Sequence, residues 1–240
     1  MKTLNIIGTL ALIVTLSSCN LDMIIGQVNG NGNVETEERI VSENFSEVKG
    51  SAGLDVYLTE GSENKIIVEA DENLLEIIET NIDNGRLNIT TKQNIGRSKS
   101  KKVHVTYKKL DEIHASSGAD IIGISVLKSE NITLDASSGS DIEVEVFAKE
   151  LTVDTSSGAD INVRGKATLL MASSSSGSEI NAKELRVINC NADASSGANI
   201  IVNVKEKLST EATSGGNIRY YGNPSAVSND ASRSGNVLKM

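Results

Sequence analysis

Apolar and polar residues alternate with a period of two through the second half of the chain, and the alternating block itself recurs. Its anchor is Ser116-Ser117-Gly118-Ala119-Asp120-Ile121. The anchor returns as Ser137-Ser138-Gly139-Ser140-Asp141-Ile142, Ser156-Ser157-Gly158-Ala159-Asp160-Ile161, Ser175-Ser176-Gly177-Ser178-Glu179-Ile180 and Ser195-Ser196-Gly197-Ala198-Asn199-Ile200. Weaker copies stand at Thr213 to Ile218, at Ser234 to Val237, and upstream at Ser51 to Val56. From Gly118 onward the glycines fall 21, 19, 19, 20, 18 and 20 residues apart. Counting back from a glycine, positions −7, −5, −3 and −1 face one way, as Ile132, Leu134, Ala136 and Ser138 do. Positions +3 and +5 continue the pattern, as in Ile142 and Val144. Each unit therefore holds two short strands with one face buried.

A single coil of this length cannot bury its own apolar stripe. Stacked at about 4.8 Å, successive coils pair backbone to backbone and close a continuous interior. Like residues then form ladders. The −3 ladder (Ala115, Ala136, Thr155, Ser174, Ala194, Ala212, Ser232) and the −1 ladder (Ser117, Ser138, Ser157, Ser176, Ser196, Ser214, Ser234) are expected to line a corner too narrow for larger groups, with the glycine at positive φ. Length changes fall in a polar corner around Lys149-Glu150, Lys183-Glu184 and Lys205-Glu206-Lys207. The fold class predicted is all-β, a right-handed parallel β-helix (solenoid) of coils near 20 residues. An antiparallel meander of ten-residue strands competes, but it gives no reason for near-identical corners.

Residues 45–110 read as an N-terminal cap with the first strands, shielding the open coil edge. Asp71 can cap a short helix over Glu72 to Thr80, with Leu74, Leu75, Ile77 and Ile78 on one face. Asn84-Gly85 is a hairpin turn signal.

Composition sharpens this reading. Hydrophobic residues make 38% of the chain and aromatic residues 2%; there is no Trp and one Pro. Small and β-branched side chains must fill the interior. The net charge of −9 disfavours nucleic acid as a partner. Leu4 to Leu16 is an apolar run of signal-peptide length, too short to span a bilayer. It ends in Leu16-Ser17-Ser18-Cys19, which resembles the bacterial lipobox. The expected processing removes residues 1–18 as a lipoprotein signal peptide, lipidates Cys19, leaves residues 19–44 as a tether and assigns 111–240 to the β-helix repeats. Two or more acyl chains hold such a protein on a membrane without spanning it. Cys190 is then the only other cysteine, so no internal disulfide forms. It occupies the −7 ladder beside Leu151, Leu170 and Leu208 and reads as an apolar filler.

Candidate chemistry is sparse. The +2 positions Asp120, Asp141, Asp160 and Glu179, continued by Asn199 and Asn217, stack as a carboxylate column whose repulsion a Ca²⁺ ion or cationic partner could relieve; solvated side chains bonded to the turn backbone are the alternative. Arg97, Lys99, Lys101 and Lys102 form a basic cluster suited to an anionic glycan or headgroup, or to a solvated edge. His104 and His114 lack a partner at metal-ligand or triad spacing and read as strand residues. No catalytic residue and no cofactor is expected. A polysaccharide-processing hydrolase or lyase is the competing function, needing convergent carboxylates and aromatic platforms.

The lipobox, Gly30 to Val34, Phe45 to Val56 (FSEVKGSAGLDV), Glu69 to Leu75 (EADENLL), the recurring SSG-x-[DEN]-I, and Tyr221 to Pro224 with Ser232 to Val237 together resemble the auto-transporter adhesin head GIN domain family, DUF2807. The resemblance covers roughly residues 40–238. It implies a right-handed parallel β-helix on a bacterial envelope lipoprotein, at the outer membrane and facing the periplasm or the exterior, acting as an adhesin or scaffold for a glycan or envelope protein. It carries over no catalytic residues. No membrane barrel follows Leu238-Lys239-Met240, so a lipid anchor is expected in its place.

Overall fold

The computed structural model describes residues 26–231 and 234–240. The signal segment 1–18, Cys19 and Ser232 lie outside the described residues. The chain is all-β, 65% strand, wound into a β-solenoid of about 7 turns of about 19 residues. Strands β1 (Val34–Arg39), β2 (Glu47–Gly50), β3 (Asp55–Glu60), β4 (Lys65–Asp71), β5 (Ile78–Asp83), β6 (Arg86–Thr91) and β7 (Lys101–Tyr107) build the N-terminal part. The repeats are β8 (Glu112–Ala115), β9 (Asp120–Gly123), β10 (Leu127–Ser137), β11 (Asp141–Ser156), β12 (Asp160–Ser174), β13 (Glu179–Ala194), β14 (Asn199–Ala212), β15 (Asn217–Gly222), β16 (Ala226–Ala231) and β17 (Asn236–Lys239).

All pairings among β8 to β17 are parallel, which excludes the meander. The register is the one that ladder-forming repeats demand. Asp141 pairs with Asp160, Ile142 with Ile161 and Leu151 with Leu170. Ile132, Leu151, Leu170, Cys190 and Leu208 form one buried ladder, and Ile121, Ile142, Ile161, Ile180, Ile200 and Ile218 another. Burial pushes the Cys190 thiol up to about 12, where it is protonated and inert.

The recurring corner differs from the expectation, and the difference has a geometric cause. Both Ser117 (φ +52) and Gly118 (φ +71) are left-handed, and the Ala119 N–H donates to the Ser116 carbonyl at 3.2 Å. That is a type I′ turn. The same pair of conformations recurs at Ser138-Gly139, Ser157-Gly158, Ser176-Gly177 and Ser196-Gly197. Two consecutive left-handed residues interrupt the period of two, so the −1 serine points to solvent rather than inward. Position +1 takes the inner place, as buried Ala119, Ser140, Ala159, Ser178 and Ala198. The −3 ladder is buried as expected at Ala115, Ala136, Thr155, Ser174, Ala194 and Ala212. Its hydroxyls are satisfied internally: Thr155 donates to Ser174 at 2.8 Å, and Ser174 donates to the Ser178 carbonyl at 3.2 Å. Each corner also donates to the next coil, Gly118 N–H to Ser138 O at 3.2 Å and Gly139 N–H to Ser157 O at 3.1 Å. In the last coil Asn236 pairs with Asn217, which sets Gly235 opposite Gly216 rather than Gly215.

The N-terminal part is interleaved with the solenoid. Strands β2 and β3 form a coil of their own that stacks on β8 and β9 (Gly50 with Ala115, Asp55 with Asp120). Strands β6 and β7 cover the other side of that coil (Glu47 with Arg86, Asp55 with Lys102). Strand β4 runs antiparallel to β7, and β1 antiparallel to β4. The Asn84-Gly85 turn joins β5 and β6 as an antiparallel hairpin. The helix expected over Glu72 to Thr80 contracts to a 3-10 turn at Glu72–Leu74, and Ile78 already belongs to β5. Two forces decide this. Asp71 makes no capping bond to the turn, and Ile78 and Thr80 pair with Thr91 and Ile89 of β6. The described part of the expected tether, residues 26–44, is likewise laid on the body: besides β1, Val28 bridges Ile95 and the Gly30 N–H donates to Arg97 O at 2.8 Å.

Candidate functional site

Because the coils are in register, any chemistry repeated in the sequence becomes a line on the surface. The +2 carboxylates do so. Asp55, Asp120, Asp141, Asp160, Glu179, Asn199, Asn217 and Asn236 pair successively across eight coils. Partial burial, then the charges of Asp120 and Asp160, hold the Asp141 carboxyl above its ordinary value. Burial and then Asp55 do the same to Asp120, against the opposing charge of Lys101. Each of the first five coils contributes one carboxylate to this column and the last three an amide, and among the described residues no three of His, Cys, Asp and Glu converge to hold a metal ion. The candidate metal ligands Asp120, Asp141, Asp160 and Glu179 thus lie in a line rather than around a centre.

The column carries a testable electrostatic cost. A carboxyl whose value is raised in the fold destabilises while charged, and the cost disappears as pH falls below its unfolded value, about 4. Asp141→Asn is therefore expected to stabilise near neutrality by about 0.5 kcal/mol, solvent screening keeping the gain small. The gain should shrink toward about pH 3 and in high salt. Thermal melts of variant and parent check this; a variant less stable at neutrality would contradict it.

A second line of side chains makes a flat face. Thr133, Thr152, Met171, Asn191 and Ser209 stack beside Asp135, Asp154, Ser173, Asp193 and Glu211. Burial, then the charge of Asp135, raises the Asp154 carboxyl. The face presents hydroxyl, amide and carboxylate groups, with Met171 among them.

A broad, open groove lies elsewhere, along the corner that sequence alone marked only as polar. It has a volume of about 1010 Å³. Its floor is a column of small and apolar residues: Ser129, Ala148, Ala167, Val187, Val204 and Gly222, paired in register. Preceding the floor in each coil stand Lys128, Phe147, Lys166, Arg186 and Asn203; Lys149 and Lys205 are among the residues that follow it. The lining carries five basic side chains and one carboxylate, Glu130, which Lys149 engages. The Lys166 ammonium stands 6.0 Å from the centre of the Phe147 ring. Three-residue runs offered a signal for this site, with an apolar residue flanked by long or basic ones: Phe147-Ala148-Lys149, Arg186-Val187-Ile188 and Asn203-Val204-Lys205.

The basic cluster read from sequence lies along the segment that leads into β7 and the start of that strand. The backbone N–H groups of Arg97 and Lys99 donate to Asn29 and Asp71. Lys102 pairs with Glu69 at 3.9 Å and lies 5.9 Å from the Tyr57 ring centre. Lys101 faces the head of the acidic column. His104 stacks on Tyr57 at 5.3 Å, and His114 lies 3.2 Å from Glu112. No nucleophile accompanies either histidine in these contacts. Among the described residues no helix is long and apolar enough to cross a membrane.

Residues 44–224 match the family model described as "Putative auto-transporter adhesin, head GIN domain". No curated protein matches the chain. Similar solved structures include a putative adhesin from Bacteroides fragilis (TM-score 0.82, 17% identity, covering 89% of this chain and 100% of that one). A putative lipid binding protein from Parabacteroides distasonis follows (TM-score 0.74, 20% identity, 89% and 99%). A putative adhesin from the same species is also similar (TM-score 0.73, 18% identity, 89% and 100%). At these identities the likeness concerns the fold.

Proposed function

The chain belongs to the family described as "Putative auto-transporter adhesin, head GIN domain", and from that premise we propose that it is a non-enzymatic interaction protein of the bacterial envelope. In this reading the solenoid is a rigid post, anchored by lipid on Cys19 at the outer membrane, that presents its long faces to a glycan or envelope protein. The observation that carries it is the unbroken register of Thr152, Met171, Asn191 and Ser209 beside Asp154, Ser173, Asp193 and Glu211. Such a face offers many equivalent weak contacts, which suits an extended ligand. The large groove also argues against glycoside hydrolysis there, since its single carboxylate is engaged by Lys149 and hydrolysis of a glycosidic bond uses a carboxyl pair across it.

Binding of the full chain to a glycan array and to isolated envelope fractions, with and without Ca²⁺, tests the interaction reading. Asp154→Lys with Asp193→Lys should abolish capture on that face, whereas Asp141→Ala with Asp160→Ala asks whether the acidic column takes part. Absence of selective capture in every arm would overturn it. Incorporation of labelled fatty acid by the parent but not by Cys19→Ala tests the anchor.

A further inference from the structure

We propose that the open groove lined by Lys128, Phe147, Lys166 and Arg186 binds an acidic polysaccharide, with one sugar ring on Phe147 and a carboxylate or sulfate group between Lys166 and Arg186; this names a ligand class for the interaction protein proposed above and rests on that reading. The juxtaposition comes from the register. Lys128 pairs with Phe147, Phe147 with Lys166 and Lys166 with Arg186 on four successive coils, and all four residues are exposed. At about 4.8 Å per coil the column runs about 14 Å along the solenoid axis. The groove therefore presents an aromatic ring with a cation before it and two after it.

Charge selects an acidic ligand. The chain carries −9 overall, yet this lining has five basic side chains to one acid. In other places basic groups lie against carboxylates: Arg86 on Glu47 at 2.7 Å, and Arg164 on Glu143 and Glu145 at 3.3 Å each. Lys166 and Arg186 do not. Lys166 contacts only the Phe147 ring, 6.0 Å from its centre, and Arg186 makes no ion pair among the described residues. Like charges directly opposite one another on neighbouring strands destabilise the pairing, and an anion between them removes that cost. The guanidinium offers a carboxylate or sulfate a planar fork, and the ammonium a point charge. Lys128, Lys149 and Lys205 are held by Glu60, Glu130 and Glu206 through exposed pairs. Such pairs exchange partners at little cost, so further anionic groups along the ligand can recruit these lysines.

Shape and the ring select a polysaccharide. Phe147 is 40% exposed and is the one aromatic residue in the lining, a platform for the apolar face of a pyranose. Lys166 and Arg186 lie midway along the corner, with paired coils on both sides of them. That position suits a polymer running on in both directions rather than a molecule with one charged end. A planar bilayer would meet the rims of the groove before its lining. Acidic residues elsewhere on the surface repel the polymer only weakly, because salt screens charges beyond about 10 Å.

The test is binding of the full chain to labelled polygalacturonate and dextran sulfate, beside neutral dextran and phosphatidylglycerol vesicles, at low and high salt. Polygalacturonate, dextran sulfate or both should bind saturably, more weakly at high salt, and dextran should not bind. Lys166→Glu with Arg186→Glu should weaken the bound polymer at least about tenfold, with an unchanged thermal midpoint. Phe147→Ala should weaken it about fivefold and leave its salt dependence as in the parent, a loss that a purely electrostatic patch would not show. Arg97→Glu with Lys108→Glu makes the same change of charge at exposed positions outside the groove and should leave binding close to that of the parent. No saturable binding of either acidic polymer, equal losses in the two charge-reversed variants, or unchanged affinity in Phe147→Ala would overturn the proposal. Dextran bound as tightly as dextran sulfate would overturn it in favour of a neutral glycan, and capture by the vesicles alone in favour of a membrane surface. Glycan and envelope capture on the Asp154 face is read separately with the Asp154 and Asp193 variants, so either reading can fail without the other.

Discussion

Replacing Asp71 by alanine should cost about 3–5 kcal/mol, because three backbone donors would each lose a charged acceptor worth about 1–3 kcal/mol. The Asp71 carboxylate is 1% exposed. It accepts the N–H of Gly32 at 2.8 Å, of Lys99 at 2.9 Å and of Ser100 at 3.0 Å. It thereby ties together three segments where their strand pairings end: the stretch before β1, the end of β4 and the loop into β7. Burial alone would raise its titration, but the donors of Ser100, Gly32 and Lys99 outweigh it and hold the carboxyl below the ordinary range. The sign of the pH dependence follows. A depressed carboxyl contributes stability that is present above the unfolded value, about 4, and is lost as pH falls through the folded one. Acid should therefore loosen the cap, and Asp71→Asn should remove that part of the acid sensitivity while retaining one acceptor oxygen. Hydrogen exchange at residues 30–33 and 97–100, with urea melts, reads both effects. Unchanged protection there in Asp71→Ala would contradict the assignment.

Gly165→Val should be comparably severe, at about 3–5 kcal/mol, combining backbone strain with a steric collision. Gly165 lies at φ +114, and a Cβ built there would sit 2.1 Å from the Val146 carbonyl oxygen of the preceding coil. Backbone cannot swing aside as a side-chain tip can, so the β11 to β12 ladder must part. Gly158→Ala is the control: Gly158 is at φ +69 with nothing near its Cβ position, so only the left-handed conformation opposes the change, at about 1 kcal/mol. Chemical denaturation of the two variants separates strain from collision. Equal midpoints would defeat the argument.

The parallel stacking was legible because a ladder constrains every copy of a residue in the same way; Ile142, Ile161, Ile180 and Ile200 are alike since each lies on the next. Parity at the corner was not legible. The turn's two left-handed residues, one of them a serine, break alternation where the sequence shows no break, so Ser157 was placed inside and Ala159 overlooked. The helix over Glu72 to Thr80 failed for a tertiary reason: the Asp71 carboxylate is occupied by distant amides, and β6 supplies the strand partner that Ile78 takes. The acidic column could be read residue by residue, because it sits two positions after an invariant turn. The groove could not. Its residues follow the preceding glycine at distances that change from coil to coil, so the repeat marks this corner as polar without aligning its members.

The interleaving of the N-terminal coil bears on how the molecule is made. Synthesis releases β2 and β3 early, yet one flank of that layer is covered by residues 86–107 and the other by residues 112–123. The first layer to leave the ribosome must wait, with both edges bare, until some fifty further residues have emerged. Such long-range closure is slow, and exposed strand edges invite pairing with neighbouring chains. The repeats that follow need only the layer just laid down. Biogenesis is thus most vulnerable before the regular part begins, and a holding chaperone would matter most for residues 47–111.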